Sequence, residues 1–230
     1  IRDRHKILTT FQMTQEFAQR ENIVILPMDL YYNWDDKNDL KNAYEDVAKA
    51  EEYVKGKKIN LSKYDELVLQ CDLILDVSGD MWGDNAEHVG HQRFLVECLK
   101  MRAAQLLGVK TVLYAVTPGP FEKVKERELA LSVFSSFSLV VIREKLSKKN
   151  LEKWGFPTEH VIWAPCPSFL FEANKSYKSE WTEKIENTHK NNRKAIGITF
   201  GGFNMPIGPY DMWPRDNSQY TVFLEIAKYI

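Results

Sequence analysis

The chain alternates between short apolar runs and longer segments in which apolar residues recur at helical spacing. The apolar runs are rich in Val, Ile and Leu, and they occupy Asn22–Pro27, Asp72–Val77, Thr111–Val116, Ser138–Ile142 and His160–Trp163. Apolar runs without polar alternation are typical of parallel strands covered on both faces. Strands that alternate with helices predict an α/β fold with a doubly wound, mostly parallel, Rossmann-like sheet.

Helical patterns fill the chain between the predicted strands. Leu95, Leu99 and Ala103 fall on one face of a helix. A second helix is predicted to begin at Pro120, because proline is well accommodated in a first helical turn. The acid-rich stretch 31–53 is predicted to form a solvated helix preceded by a loop.

A change in composition divides the chain. Residues 1–172 are predicted to form an N-terminal Rossmann-like domain. The polar, charged stretch 173–194 is predicted to be an interdomain linker that holds a short helix. At 195–230 a fresh apolar strand and a Gly-Pro-rich loop predict the start of a second, truncated Rossmann-like domain.

Charge, hydropathy and cysteine content limit the kinds of binding partner and the cellular compartment that the sequence predicts. Lys and Arg number 31 against 32 Asp and Glu, so no basic surface for nucleic acid is predicted. No apolar run reaches membrane-spanning length. The three cysteines are scattered without C-x-x-C spacing, which favours free thiols in a reducing compartment.

Three consecutive predicted strands end in residues suited to ligand binding. Ser78–Asp80, Thr117–Pro120 and Arg143 each follow a strand, and ligands of open α/β sheets bind outside the carboxyl ends of strands. Gly79 permits close backbone approach, and Asp80 can cap a helix or bind a hydroxyl; an ordinary turn with a cap is the structural alternative. No G-x-G-x-x-G or Walker pattern accompanies these turns, so neither a dinucleotide nor a nucleoside triphosphate is predicted.

Arg143 offers a planar fork that suits a carboxylate or a phosphate. The structural alternative is a salt bridge with Glu144. His88 and His91 are candidates for a general base, although a solvated or acid-paired histidine is the commoner case. No carboxylate at matching helical spacing completes an H-x-x-H set, so no metal is predicted. Trp82 is either a packing residue or a platform for a sugar.

The span from Asp72 to about Phe171 resembles the polysaccharide pyruvyl transferase family. The resemblance rests on a strand that runs into Ser78-Gly79-Asp80, a strand that runs into Gly119-Pro120, and a strand that runs into Arg143-Glu144 with Ser147 after it. The family's glycine run is reduced here to the single Gly79.

The resemblance implies one half of a two-domain fold of the glycosyltransferase-B type, with a cleft between Rossmann-like halves. It implies an enzyme that moves a pyruvyl group from phosphoenolpyruvate onto sugar hydroxyls as a cyclic ketal, without a cofactor. The acceptor would be a cell-surface polysaccharide or its lipid-linked precursor. The residues that we assign to the donor are Arg143, Ser78, Gly79, Asp80, Gly119 and Pro120. Those assigned to the acceptor are Trp82, Asp84 and Asn85, and the base is His91, with His88 second.

Two other functions remain open from the sequence. One is a nucleotide-sugar-dependent glycosyltransferase of similar fold, and the other is a non-catalytic Rossmann-like module that binds sugars. We expect a cytoplasmic protein, with attachment to the membrane periphery left open. The acceptor sugar and the number of subunits are also open, a homo-oligomer included.

Overall fold

A computed structural model describes residues 5–88, 90, 92–122, 124–172, 176–196, 225 and 228. Along the chain the described residues divide into two compact units, the first up to Cys166 and the second from Pro167. The predicted domain boundaries at 172 and 194 stay predictions. The predicted second domain, 195–230, lies almost entirely outside the described residues.

The described strands form two parallel sheets. They are β1 (Ile7–Thr9), β2 (Ile23–Ile25), β3 (Leu73–Asp76), β4 (Lys110–Val116), β5 (Leu139–Ile142) and β6 (Val161–Trp163). Strands β1 and β2 pair with each other, and the larger sheet has the order β3-β4-β5-β6. The predicted α/β fold with parallel strands is confirmed, since helices alternate with these strands along the chain.

The helices follow the predicted alternation with strands, but more of them form than the sequence predicts. They are α1 (Gln15–Glu21), α2 (Asp36–Val54), α3 (Lys63–Val68), α4 (Arg93–Leu106), α5 (Val124–Ser135), α6 (Lys145–Lys153) and, in the second unit, α7 (Glu180–Lys190). Helix α7 confirms the short helix predicted within 173–194, and it begins with a capping box on Ser179. No helix among the described residues is both long enough and apolar enough to cross a membrane.

The prediction that a helix begins at Pro120 is wrong. Helix α5 begins at Val124, four positions later. The intervening backbone is held elsewhere, because Phe121 is buried and the Glu122 amide donates to Asp84 Oδ2 at 2.7 Å. Because Phe121 and the Glu122 amide make these contacts, the helix begins only after both residues.

The prediction that residues 31–53 form a solvated helix is only half correct. Helix α2 does form, but one of its faces packs against α4. Ala43 and Ala50 are buried on that face, together with the carboxylates of Asp39 and Asp46. The acidic composition concealed a buried stripe, because two of its acids have partners inside the protein.

Candidate functional site

The turns after three adjacent strands meet at one edge of the larger sheet. Because β3, β4 and β5 are parallel, their carboxyl ends lie at the same edge. The Thr117 amide donates to the Gly79 carbonyl at 2.9 Å, and the Gly119 amide donates to the Trp82 carbonyl at 2.8 Å. The structure therefore brings together the turns at Ser78–Asp80 and Thr117–Pro120, as the sequence predicts.

A β-bulge at the end of β4 sets the direction of the residues that follow. Ala115 has φ of 56°, and the pairing with β5 shifts by one residue between Tyr114 and Val116. Bulges of this kind are frequent next to functional sites, where they redirect side chains. After the bulge the Arg143 amide donates to the Val116 carbonyl at 3.2 Å, so β4 and β5 enter their turns side by side.

Arg143 is the centre of a polar network at this edge. Its Nε donates to Thr117 Oγ1 at 2.8 Å, and Thr117 Oγ1 donates to Glu144 Oε2 at 2.9 Å. Two carboxylates lie further away, with Nη2 at 4.0 Å from Asp80 Oδ1 and Nε at 3.9 Å from Glu144 Oε2. The arginine side chain is 31% exposed, so these long ion pairs contribute little to stability.

The other edge of the guanidinium remains available for a ligand. Within the described part of the chain, neither Nη1 nor Nη2 of Arg143 has a hydrogen bond. Both nitrogens lie against Gly79, since a Cβ added there would be 3.9 Å from each. Gly79 itself has φ of 71°, a conformation that favours glycine. A guanidinium fixed through Nε and open at its terminal nitrogens can bind a carboxylate or a phosphate.

The second turn is locked to the loop that follows Trp82. A Cβ at Gly83 would lie 2.8 Å from Gly119 Cα, so only glycine fits this crossing. Asp84 Oδ2 accepts from the Glu122 amide, and Asn85 Nδ2 donates to the carbonyls of Asp80 and Gly119 at 3.3 Å each. In this structure Asp84 and Asn85 stabilise the loops of the site, and their predicted acceptor contacts stay predictions.

Of the two roles predicted for Trp82, packing residue or platform for a sugar, the structure supports packing and not contact with the acceptor. The side chain is completely buried, at 0% exposure. Its ring packs at 5.3–5.5 Å, between centroids, against Phe94, Phe121 and Phe134. The indole forms the centre of an aromatic core, because the turn at residue 81 carries the chain inward rather than along the surface.

The hydroxyl of Ser78 also points inward. Ser78 Oγ is buried and has no hydrogen-bond partner among the described residues. The backbone amide of Ser78 donates to Asp76 Oδ1 at 2.8 Å, which forms a tight turn at the end of β3. Any contact between Ser78 and the donor would therefore involve its backbone.

The histidines predicted as bases are not tested by the structure. His91 lies outside the described residues, and His88 ends a short 3-10 helix, Asp84–His88, that precedes α4. Both roles stay predictions. In the described ranges no group of three or more His, Cys, Asp or Glu residues is arranged to hold a metal ion.

A pocket that was not predicted from the sequence lies beside the Thr117–Pro120 turn. The pocket has a volume of about 300 Å³ and lies between this turn and α6, which contributes Asn150 and Lys153, with Trp154 just beyond its end. The signal was available in the segment 150–154, where an amide, a cation and an indole fall within one helical turn at the end of α6. Thr117 belongs to both the pocket and the Arg143 network.

A parallel sheet with a helix after each of its first three strands, and polar turns at the carboxyl ends, defines a Rossmann-like α/β protein. This chain belongs to the polysaccharide pyruvyl transferase family, whose sequence profile matches residues 14–227. The chain is also similar to the amylovoran biosynthesis protein AmsJ of Erwinia amylovora, with 26% identity over 110 residues. The matched region is 48% of this chain and 25% of that protein. No solved structure matches the chain.

Proposed function

We propose that this chain binds phosphoenolpyruvate and serves the transfer of its pyruvyl group to a sugar as a cyclic ketal. The observation that supports the proposal most directly is Arg143, whose terminal nitrogens make no hydrogen bond in the described residues and lie at the edge of the sheet where three strand ends meet. The acceptor in this proposal is a polysaccharide or its lipid-linked precursor, in line with the family and with a relative that is named for amylovoran biosynthesis.

The proposed reaction determines what the site must provide. C3 of the donor gains a proton, C2 forms two C–O bonds to sugar hydroxyls, and the bond from C2 to the phosphate oxygen breaks. Of the two hydroxyl protons released, one balances the proton gained by C3 and the other leaves with the phosphate. Positive charge develops at C2 while negative charge grows on the departing phosphate, so a fixed cation near the phosphate stabilises the transition state.

Arg143 has the geometry for this role. Its Nε is held by Thr117 Oγ1 at 2.8 Å, so the guanidinium plane is oriented before a ligand arrives. Each charge-assisted hydrogen bond from its terminal nitrogens is worth roughly 1.5–3 kcal/mol. Phosphoenolpyruvate carries both a carboxylate and a phosphate, and either group matches the fork of an arginine.

Donor binding tests the proposal. The amide signals of Gly79 and Thr117 should shift when the protein is titrated with phosphoenolpyruvate, and a UDP-sugar should leave them unchanged. Arg143→Ala should weaken phosphoenolpyruvate binding about 10- to 100-fold. Lys145→Ala is the matched control, because it removes the neighbouring cation, whose Nζ contacts the Trp163 ring at 4.8 Å.

The same titration separates the competing functions. Binding of the UDP-sugar in place of phosphoenolpyruvate would support a glycosyltransferase. Binding of a glycan without phosphate release in the presence of the donor would support a non-catalytic sugar-binding module. Equal affinity of the wild-type protein and Arg143→Ala for phosphoenolpyruvate would remove Arg143 from the donor site.

On the acceptor side we propose His91 as the base that takes up the proton of a sugar hydroxyl, with His88 as the second candidate. A positioned base contributes roughly 10²- to 10⁴-fold to such a step. His91→Gln should therefore lower kcat and change its pH profile. If the pH profile and the acceptor KM are both unaltered, His91 is not the base.

A further inference from the structure

Two acidic residues are buried next to the Ser78–Asp80 turn. Asp76 ends β3 and Glu97 lies on α4, and they are 7% and 2% exposed. Asp76 Oδ1 accepts the Ser78 amide at 2.8 Å. Three further buried oxygens have no hydrogen-bond partner among the described residues, namely Asp76 Oδ2, Ser78 Oγ and Glu97 Oε1. Unpaired buried oxygens are rare in folded proteins, so this cluster calls for a proton between its members.

The surroundings of the pair favour one proton held in common. Burial raises the pKa of the Glu97 carboxyl well above its ordinary value, and its interaction with the nearby Asp76 carboxyl raises it further. Arg93 and the side chain of Ser78 act in the opposite direction. Burial, followed by Glu97 and Asp76, also raises the pKa of Tyr31, so this phenol stays neutral beside the pair.

The charged and titratable groups that interact with the pair in the described residues include Arg93 from α4, Tyr31 from the loop before α2 and, on the side of Asp76, Tyr64 from α3. The Cζ atom of Arg93 lies 5.7 Å from the centroid of the Tyr31 ring and 4.2 Å from the centroid of the Tyr32 ring. The guanidinium supplies one positive charge next to the pair. A single negative charge, with one proton between two carboxyls, matches that arrangement better than two negative charges.

We propose that Asp76 and Glu97 form a proton-sharing pair of positioning residues that holds the Ser78–Asp80 turn against Arg143. Glu97 donates its proton to Asp76, and Asp76 accepts the Ser78 amide in turn. The turn then carries the Gly79 carbonyl to the Thr117 amide at 2.9 Å and the Gly79 Cα to the guanidinium. When Glu97 loses its proton as the pH rises, two adjacent carboxylates repel each other and the turn moves.

Two variants and a control test the pair. Glu97→Gln keeps the shape and one donor toward Asp76 but has no proton to lose. Glu97→Leu keeps the volume and removes the donor. Asp65→Asn is the control, because Asp65 is another fully buried carboxyl but lies on α3, away from this turn in the chain.

Two readouts are measured over the whole pH range in which the protein stays folded. The first is the pH titration of the Ser78 and Gly79 amide signals, which we expect in the wild-type protein and in Asp65→Asn but not in Glu97→Gln. The second is the dissociation constant for phosphoenolpyruvate, which rests on the proposed function. We expect Glu97→Gln to bind within about 2-fold of the wild type at neutral pH, and Glu97→Leu to bind about 10-fold more weakly.

The outcomes separate this inference from the proposed function. If the amide titration persists unchanged in Glu97→Gln, or if a folded Glu97→Leu binds like the wild type, the positioning pair is wrong. If Glu97→Leu does not fold, the amide titration of Glu97→Gln still decides. If the wild-type protein binds no phosphoenolpyruvate but its turn amides follow Glu97, the proposed function fails and the pair stands.

Discussion

Arg143 and Lys100 both lie near carboxylates in the first unit, but they are embedded in different ways. Lys100 is 3% exposed, and its Nζ contacts Asp46 Oδ2 at 2.6 Å and donates to the Leu30 carbonyl at 2.8 Å. Arg143 is 31% exposed, and Asp80 and Glu144 lie 4.0 and 3.9 Å away. The same kinds of group are fully used in one place and partly unused in the other.

This difference distinguishes a structural ion pair from a candidate binding group. The ammonium of Lys100 is further enclosed by the Tyr64 ring, 4.3 Å away, and the Tyr64 hydroxyl donates to the Lys100 carbonyl. The Lys100 ammonium is thus surrounded by groups of the protein itself. The Arg143 guanidinium is held at one nitrogen by Thr117 and keeps its other nitrogens for solvent or substrate. Exposure and hydrogen-bond geometry therefore carry more functional information than the presence of a charge.

The largest effect on stability is expected at the buried ion pair of Lys100 and Asp46. Lys100→Met should lower the free energy of unfolding by about 3–5 kcal/mol, because it leaves the Asp46 carboxylate buried without its partner. Urea denaturation measures the change. The control is Lys49→Met, which breaks the 2.7 Å pair with Glu45 on the outer face of α2, where the two side chains are 30% and 48% exposed. That variant should change stability by less than about 1 kcal/mol. Equal losses in both variants would contradict the comparison.

The second-largest effect is a pH dependence of stability that arises from the buried carboxyl of Asp65. Burial, and then the charge of Asp46, raises the pKa of Asp65 from 3.8 to about 6. Between these two values the folded protein holds a proton that the unfolded chain has lost, so stability falls as pH rises through the window. The contribution is at most about 3 kcal/mol.

Denaturation of Asp65→Asn at several pH values between about 4 and 7 tests this dependence. The variant should lack this part of the decline, since its amide does not titrate. An unchanged slope of stability against pH would show that Asp65 ionises as freely in the folded protein as in the unfolded chain.

A smaller effect on stability and a clear one on binding are expected at Arg143. Arg143→Lys keeps the charge and loses the planar fork, so stability should change by less than about 1 kcal/mol. The affinity for phosphoenolpyruvate should still fall by about 10-fold, which calorimetry can measure. A loss of stability as large as that of Lys100→Met would mean that Arg143 is a structural residue.

The smallest effect is expected at Lys153, an exposed cation in the pocket beside Thr117. Lys153→Ala should weaken the binding of an anionic ligand by only about 2- to 5-fold, because the ammonium is well solvated and screened by salt. Repeating the titration at low and high salt checks the prediction. An effect that exceeds that of Arg143→Lys would move the centre of the anion site from the guanidinium to the pocket.

Much of the larger sheet could be predicted from sequence because its strands are mostly apolar. Strands β3 to β6 all lie within predicted runs or extend them by one residue. Strand β1, Ile7–Thr9, was not predicted, because only Ile7 and Leu8 are apolar there and two residues do not form an apolar run. The start of α5 was misplaced because the preference of proline for a first turn is local, whereas the contacts of Phe121 and Glu122 are not.

The site could be predicted only as far as strand ends reveal it. Arg143, Gly79 and Gly119 follow strands, and parallel pairing brings them together. Glu97 and Lys100 were hidden inside an apolar helical face, and their partners come from distant parts of the chain, as with Asp46, 54 residues before Lys100. A charge within an otherwise apolar face is the signal that was available, and it indicates a buried partner without naming it.

The bulge at Ala115 has a consequence for comparing this chain with its relatives. The buried residues of β4 are Thr111, Leu113 and Val116. The first two are separated by two positions, as in a regular strand, and the last two by three. The inserted residue thus reverses which positions of the strand face the core. Thr117 faces the side of the sheet that Val112 and Tyr114 face before the bulge. A relative shorter by one residue here would present a different side chain to its arginine, so an alignment that preserves hydrophobic alternation alone would equate residues that are not structurally equivalent.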